Sequence, residues 1–212
     1  MTADEKNRFD GYAKTVTPYN VTPTDDLERQ IAEACISAGY SMLADMPHEM
    51  EKAETKDYMR GGRLGHTPAG AGEDKLLRFI NIQFDWILPR YMWQEVDTYH
   101  FFERNSMSTM HRIMNMDIDT VCSPYVSVAA KTTLAMLIDD FRHADDSNRL
   151  ERWLKLKANV PEGLLLASRC STNYATLKTI WKQRRGHRNI EWSIFRDWIS
   201  TLPRARELGV AD

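Results

Sequence analysis

The sequence predicts a mixed α/β domain of the α+β kind, a mainly antiparallel sheet with helices packed on it. Three observations carry that prediction. Between Leu77 and Leu88, Ile80, Ile82, Phe84, Trp86 and Leu88 alternate with Phe79, Asn81, Gln83, Asp85 and Ile87. Period-two alternation of that length is the pattern of a strand with one buried face. A second β-like run, Leu164 to Thr172, leads into Asn173, a good helix N-cap, and then Leu177, Ile180 and Trp181 at helical spacing. Helical spacing recurs at Leu27, Ile31, Ala34, Cys35 and Ala38, and across residues 126–141.

Taken in order, the first ten residues are polar and read as frayed, and Tyr12 to Val16 reads as a short strand. Pro23, Asp25 and Asp26 suit the start of a helix that ends near Gly39, with Cys35 on its core face. Met42, Met46, Met50 and Met59 among scattered charges read as helix over residues 41–60. The stretch Gly61 to Lys75 reads as a flexible surface loop, about residues 60–75. Its glycines lack both the Gly-Lys-Ser/Thr of a phosphate loop and the full dinucleotide pattern. Pro89 closes the strand, because proline has no N–H for the ladder, and a helix follows over Arg90 to Tyr99. Met114 to Pro124 reads as a connector, Val126 to Phe141 as a helix, and Leu150 to Leu156 as a short amphipathic piece. The acids of DDFRHADD read as a solvated helix end and turn, without the spacing of a calcium loop. Ile190, Ile194 and Trp198 give a last helix before Pro203, and the tail from 204 to 212 reads as mobile.

The 212 residues, 42% hydrophobic, suffice for one sizeable core and a single domain over 1–212. A net charge of −2 gives no global field toward nucleic acid; basic charge is local, at Lys182, Arg184, Arg185 and Arg188. Cys35, Cys122 and Cys170 are odd in number and widely spaced, which argues against a disulfide framework or zinc site and fits a reducing cytoplasm. The histidines show no pairing at metal spacing. MTADEKNRFD lacks the apolar core of a signal peptide, and no apolar run reaches membrane-spanning length, so the reading is a soluble cytoplasmic protein.

Two stretches carry chemistry. In 157–192 a helix capped by Asn173 ends in guanidinium groups, whose planar forks suit phosphate and carboxylate. The other reading of those cations is complementation of the helix dipole, with Gly186 as the stop. In Thr98 to His111, TYHFFERNSMSTMH, aromatic faces can stack a planar ring while Ser and Asn read its edge.

The run Lys157, three residues, Pro161, strand, Asn173, Leu177, Arg184 resembles the C-terminal half of the flavin-dependent thymidylate synthases. That family has Arg, three residues and Pro, then a strand ending in Asn and a helix ending in Arg. Lys157 stands for the leading Arg, Asn173 falls on the flavin-contacting Asn, and Arg184 on the nucleotide-binding Arg. The family's signature is Arg-His-Arg, two residues, Ser, one residue, Asn-Glu, one residue, Ser, one residue, Arg-Tyr. Aligned from Pro89 without gaps, Asn105 and Ser108 match its Asn and last Ser. Thr98, Tyr99 and His100 replace Arg-His-Arg, Ser106 replaces Glu, and Met110 replaces the last Arg. A one-residue shift keeps His100 as the signature His and loses Asn105 and Ser108. Gly72 stands at the Gly of a family Gly-His element, with Glu73 in place of His. The resemblance covers roughly residues 72 to 192.

It implies an enzyme that transfers one carbon to the 5-position of a pyrimidine deoxynucleotide, dUMP to dTMP or a related modification. FAD, NADPH and methylenetetrahydrofolate are the implied cofactors, and a homotetramer the implied assembly. Lys157, Arg184 and Ser108 would then bind the nucleotide, and Asn173 and Asn105 the flavin. His100, on the flavin side, and Arg112, on the substrate side, are candidates to replace the lost signature groups. No side chain attacks the base in that family, so no catalytic residue is named. The rival reading is an inactive or repurposed relative that binds nucleotide or nucleic acid.

Overall fold

The strand expected near 77–88 forms at Asn81–Pro89 in the computed structural model, which describes residues 2–40 and 53–211. Ile82, Phe84, Trp86 and Leu88 are fully buried, as the alternation requires. In chain order the elements are α1 (Ala3–Thr15), α2 (Thr24–Ser37), α3 (Thr55–Gly65), β1 (Asn81–Pro89), α4 (Arg90–Val96), β2 (Glu103–Ser106), α5 (Thr109–Arg112), α6 (Ile118–Val121), α7 (Val128–Arg142), α8 (Arg149–Ala158), β3 (Leu165–Asn173), α9 (Tyr174–Gln183) and α10 (Ile190–Ile199). A 3-10 segment, Glu73–Phe79, precedes β1. The strands form an antiparallel sheet in the order β1-β3-β2. The helix expected over 41–60 lies outside the described residues for 41–52, and its end falls in α3. Among the described residues, no helix is long and apolar enough to cross a membrane.

The chain divides into two compact units. Unit 1 comprises Met1–Val16, Ile87–Thr98 and Asn105–Ser168. Its N-terminus is helical, where the sequence suggests a frayed end and a short strand. Thr2 accepts from Glu5 N at 3.2 Å while the Glu5 carboxylate accepts from Thr2 N at 2.6 Å, a capping box that satisfies two end donors. Tyr12 and Val16, four apart, are the anchors this helix buries. The hairpin of α7 and α8 encloses Ile113, Cys122, Leu134, Ile138, Leu156, Val160 and Leu164.

Unit 2 comprises Thr17–Trp86, Tyr99–Arg104 and Arg169–Asp212. Its centre is aromatic. Trp86 stacks on Phe195 at 4.1 Å between ring centroids, Phe195 stacks on Trp198 at 5.1 Å, and Phe84 and Phe102 close the cluster edge-on at 6.0 Å. Such pairs contribute about 0.5–1.5 kcal/mol each beyond their buried area. Of the glycine-rich stretch 61–75, the first five residues lie in α3 and the last three in the 3-10 segment. Gly61 is needed for close packing, since a Cβ there would meet Cys35 Sγ at 2.3 Å. Where the sequence suggests a mobile tail, residues 204–211 form turns that bury Ala205, Leu208, Val210 and Ala211, and Arg204 pairs with Glu28 at 3.1 Å.

Burial pushes the Cys35 thiol up to about 11, well above the ordinary range. All three cysteines are buried thiols outside any disulfide. A maleimide at neutral pH is therefore expected to label none of them in the native protein and all of them after unfolding, read by intact mass; native labelling of Cys35 would contradict its place in this core.

Candidate functional site

Helix α9 organises the candidate residues of unit 2. Asn173 caps it as predicted, its Oδ1 accepting from Thr176 N at 3.0 Å. The Asn173 amide nitrogen has no hydrogen-bond partner among the described residues, which leaves a donor at the helix start. Thr172 and Thr176 flank the cap and turn their hydroxyls to one neighbouring segment. Thr172 Oγ1 donates to the Phe101 carbonyl at 2.9 Å, and Thr176 Oγ1 to the His100 carbonyl at 3.3 Å. Phe101 has φ +59°, a left-handed conformation that costs a non-glycine residue roughly 1–2 kcal/mol. The two hydroxyl bonds hold that turn, and the Phe101 ring is left 70% exposed. His100 is exposed beside it.

Arg184 closes the other end of α9. Of the basic cluster, Lys182, Arg185 and Arg188 are exposed, and Arg184 alone is half-buried. Its Nε donates to Tyr99 Oη at 2.7 Å. Its guanidinium carbon lies 4.4 Å from the Trp192 ring centroid and 5.3 Å from that of Tyr99. Arg184 Nη1 is 3.2 Å from His187 Nε2, and Asn189 N donates to His187 Nδ1 at 3.1 Å. The guanidinium is thus oriented by a phenol oxygen and two aromatic faces, and its planar fork is of the type that suits an anionic oxygen.

In unit 1 the predicted residues fall in two places. Lys157 Nζ donates to Thr109 Oγ1 at 2.7 Å, next to Ser108, and lies 5.7 Å from the Trp153 ring centroid. Burial, and secondarily the Arg90 guanidinium, hold its ammonium below the usual lysine range. A bound anion would offset both effects. Ser108 and Asn105 are exposed; the β2 hydroxyl of Ser106, at the signature Glu position, receives a hydrogen bond from Ser168 at 3.1 Å. Arg112 does not join Lys157 in these contacts: it lines a cavity of about 490 Å³ with Met107, Asn115 and Asp117.

The fold has counterparts among solved structures. Flavin-dependent thymidylate synthase ThyX from Helicobacter pylori, in two crystal structures with FAD and dUMP, matches with TM-scores of 0.60 and 0.63 at 12% identity, over 92% of this chain and 96% of that one. The fold is that of the flavin-dependent thymidylate synthases. A UMP/dUMP methylase, PolB from Streptomyces cacaoi, bound with 5-Br dUMP, shares it at a TM-score of 0.56 and 10% identity, over 90% and 92% of the two chains. The sequence itself matches no family model and no curated protein.

Within the thymidylate synthase fold, unit 2 brings Asn173 and His100 together through Thr176, and unit 1 brings Lys157 beside Ser108 through Thr109. Sequence reasoning offers the Tyr99 and Phe101 rings as stacking faces, without their partners, and gives Thr172, Thr176, His187 and Trp192 no role in the site. The periodicity of a helix cap marks Asn173 but not the hydroxyls on either side of it. Nothing local signals that Tyr99 and Trp192 face the same guanidinium.

Proposed function

We propose that this chain is a divergent flavin-dependent enzyme of thymidylate synthase type, transferring a one-carbon unit to the 5-position of a dUMP-like nucleotide. The observation that carries the reading is the Arg184 guanidinium, oriented at the end of α9 by Tyr99 and Trp192, in a fold whose solved examples hold dUMP or 5-Br dUMP. Arg184 and Lys157 take the anionic groups of the nucleotide, Ser108 lies beside it, and Arg112 supplies a charge in place of the lost signature Arg. Asn173, His100 and Asn105 serve the flavin. The residues present fit FAD at the α9 start: the Asn173 amide offers an unused donor to a ring carbonyl, and the held, exposed Phe101 offers an aromatic face. Reduced flavin supplies the carrier for carbon from methylenetetrahydrofolate, with electrons from NADPH. The protein's own work is to position ligands and place fixed charge. A cytoplasmic homotetramer completes the proposal.

The purified protein, incubated with FAD and dialysed, is expected to retain flavin absorption bands at near-stoichiometric occupancy. Loss of all flavin on dialysis at every concentration tried would overturn the flavoenzyme reading. A second reading has one observation in its favour: Lys182, Arg185 and Arg188 form an exposed basic edge on unit 2. A repurposed nucleic-acid binder would show oligonucleotide affinity that falls steeply with salt and no saturable dUMP binding.

A further inference from the structure

Thr172 and Thr176 are buried, yet neither hydroxyl bonds within its own element. Thr179, on the same helix, makes the ordinary choice: its Oγ1 donates one turn back, to the Ala175 carbonyl at 3.1 Å. Thr176 instead reaches the His100 carbonyl, 76 residues away in sequence, and Thr172 the Phe101 carbonyl, 71 residues away. All of these residues belong to unit 2. The two carbonyls lie in successive peptide planes, and the rotation between those planes is the φ and ψ of Phe101. The threonines therefore fix the one residue of the turn whose φ is left-handed. Phe102 is buried and anchors the exit of the turn. Its entrance is Tyr99, whose ring stands edge-on to the buried Trp192 at 6.0 Å and whose Oη accepts from Arg184 Nε at 2.7 Å. A left-handed phenylalanine reverts to an ordinary conformation unless its surroundings hold it. Without the two hydroxyls the turn relaxes, Tyr99 moves with it, and Arg184 loses the acceptor that orients its Nε.

We propose that Thr172 and Thr176 are positioning residues for Arg184, acting through the strained turn at Phe101 and the phenol of Tyr99. Their effect on dUMP rests on the reading of Arg184 as a nucleotide-binding residue; the line of contacts from threonine to guanidinium does not. Thr172 carries the larger share, since its bond is 2.9 Å long and that of Thr176 is 3.3 Å.

Two measurements on the full-length protein test this. Phenylglyoxal modification, mapped by mass spectrometry, reads Arg184 without any ligand. In the Thr172→Val, Thr176→Val double variant the Arg184 rate is expected to rise about five-fold, the factor that one net hydrogen bond represents. Arg185, already exposed on the same segment, is the internal reference and should not change. Calorimetric titration of dUMP is expected to show affinity about five-fold weaker in the double variant, as in Tyr99→Phe. Thr172→Ser and Thr176→Ser keep the hydroxyls and should stay near wild type, which a loss of general packing would not allow. Placed in Tyr99→Phe, the two valines should add less than about two-fold, because the phenol that carries their effect is already gone. An unchanged Arg184 rate in the double variant, or valine losses that add in full to that of Tyr99→Phe, overturns the proposal. If wild type binds no dUMP while Arg184 modification responds as expected, the positioning stands and the nucleotide reading fails. If dUMP binding depends on Arg184 but neither affinity nor modification responds to the valines, the nucleotide reading stands and the positioning fails.

Discussion

Replacing Lys178 with methionine is expected to cost the protein about 3–5 kcal/mol of stability, the range for breaking one half of a buried ion pair. Lys178 is fully buried in the middle of α9. Its Nζ meets Asp74 Oδ2 at 2.9 Å, the Gly65 carbonyl at 2.8 Å and the Thr67 carbonyl at 2.5 Å. Three donors find three acceptors, so the desolvated ammonium is fully satisfied. Methionine keeps much of the side-chain volume and removes the charge, which leaves the Asp74 carboxylate buried without its counter-ion. Asp74→Leu is expected to be comparably harmful for the opposite reason. The double variant should recover part of the loss, because it removes both charges and leaves only two carbonyls without their donor. Guanidinium denaturation of the four proteins measures the cycle. A single-variant loss below about 1 kcal/mol would mean the pair is not desolvated as its burial implies. The network has a positional consequence as well. Gly65, Thr67 and Asp74 bracket the turn between α3 and the 3-10 segment, so Lys178 ties both to the helix that carries Asn173 and Arg184.

How much of this was legible in the sequence depended on whether the deciding contact was local. Strand β1 was legible because one of its faces is buried along its whole length, and alternation records that directly. The Asn173 cap was legible because a side chain and a backbone N–H three residues apart decide it. Helix α1 was not, since its polar residues give no periodic stripe and its two anchors, Tyr12 and Val16, also suit a strand. Glycines 61 and 65 read as flexible because composition cannot distinguish a loop glycine from one that lets two segments touch. In the structure Gly65 faces the Leu208 carbonyl at a distance no Cβ would permit. Lys178 sits between Leu177 and Ile180 on a helical face that reads as apolar, and its partners are more than a hundred residues away in sequence. The signature segment shows the same division. Asn105 and Ser108 were legible by resemblance, whereas the left-handed turn at Phe101 depends on two threonine hydroxyls from another part of unit 2.

The second large effect is expected at Arg184. A hydrogen bond to a charged group contributes about 1.5–3 kcal/mol, so Arg184→Ala should weaken dUMP binding by roughly ten-fold or more. The structure makes the lysine substitution the more informative test. Arg184 is oriented by Tyr99 Oη at its Nε and by the Trp192 face beneath its plane. A lysine keeps the charge but has neither the Nε donor for Tyr99 nor a flat group to lie on Trp192. If Arg184 acts only as a positive charge, Arg184→Lys should bind dUMP nearly as well as wild type. If orientation beside His187 matters, Arg184→Lys should fall close to Arg184→Ala, and Tyr99→Phe, which removes the orienting hydroxyl while leaving the guanidinium in place, should lose affinity too, by about 1 kcal/mol. Calorimetric titration of dUMP separates these cases, with thermal melts showing that each variant remains folded. Wild-type affinity in Arg184→Ala would remove this residue from the nucleotide site, and its aromatic cage would then be a structural clasp joining the end of α9 to Tyr99 and α10.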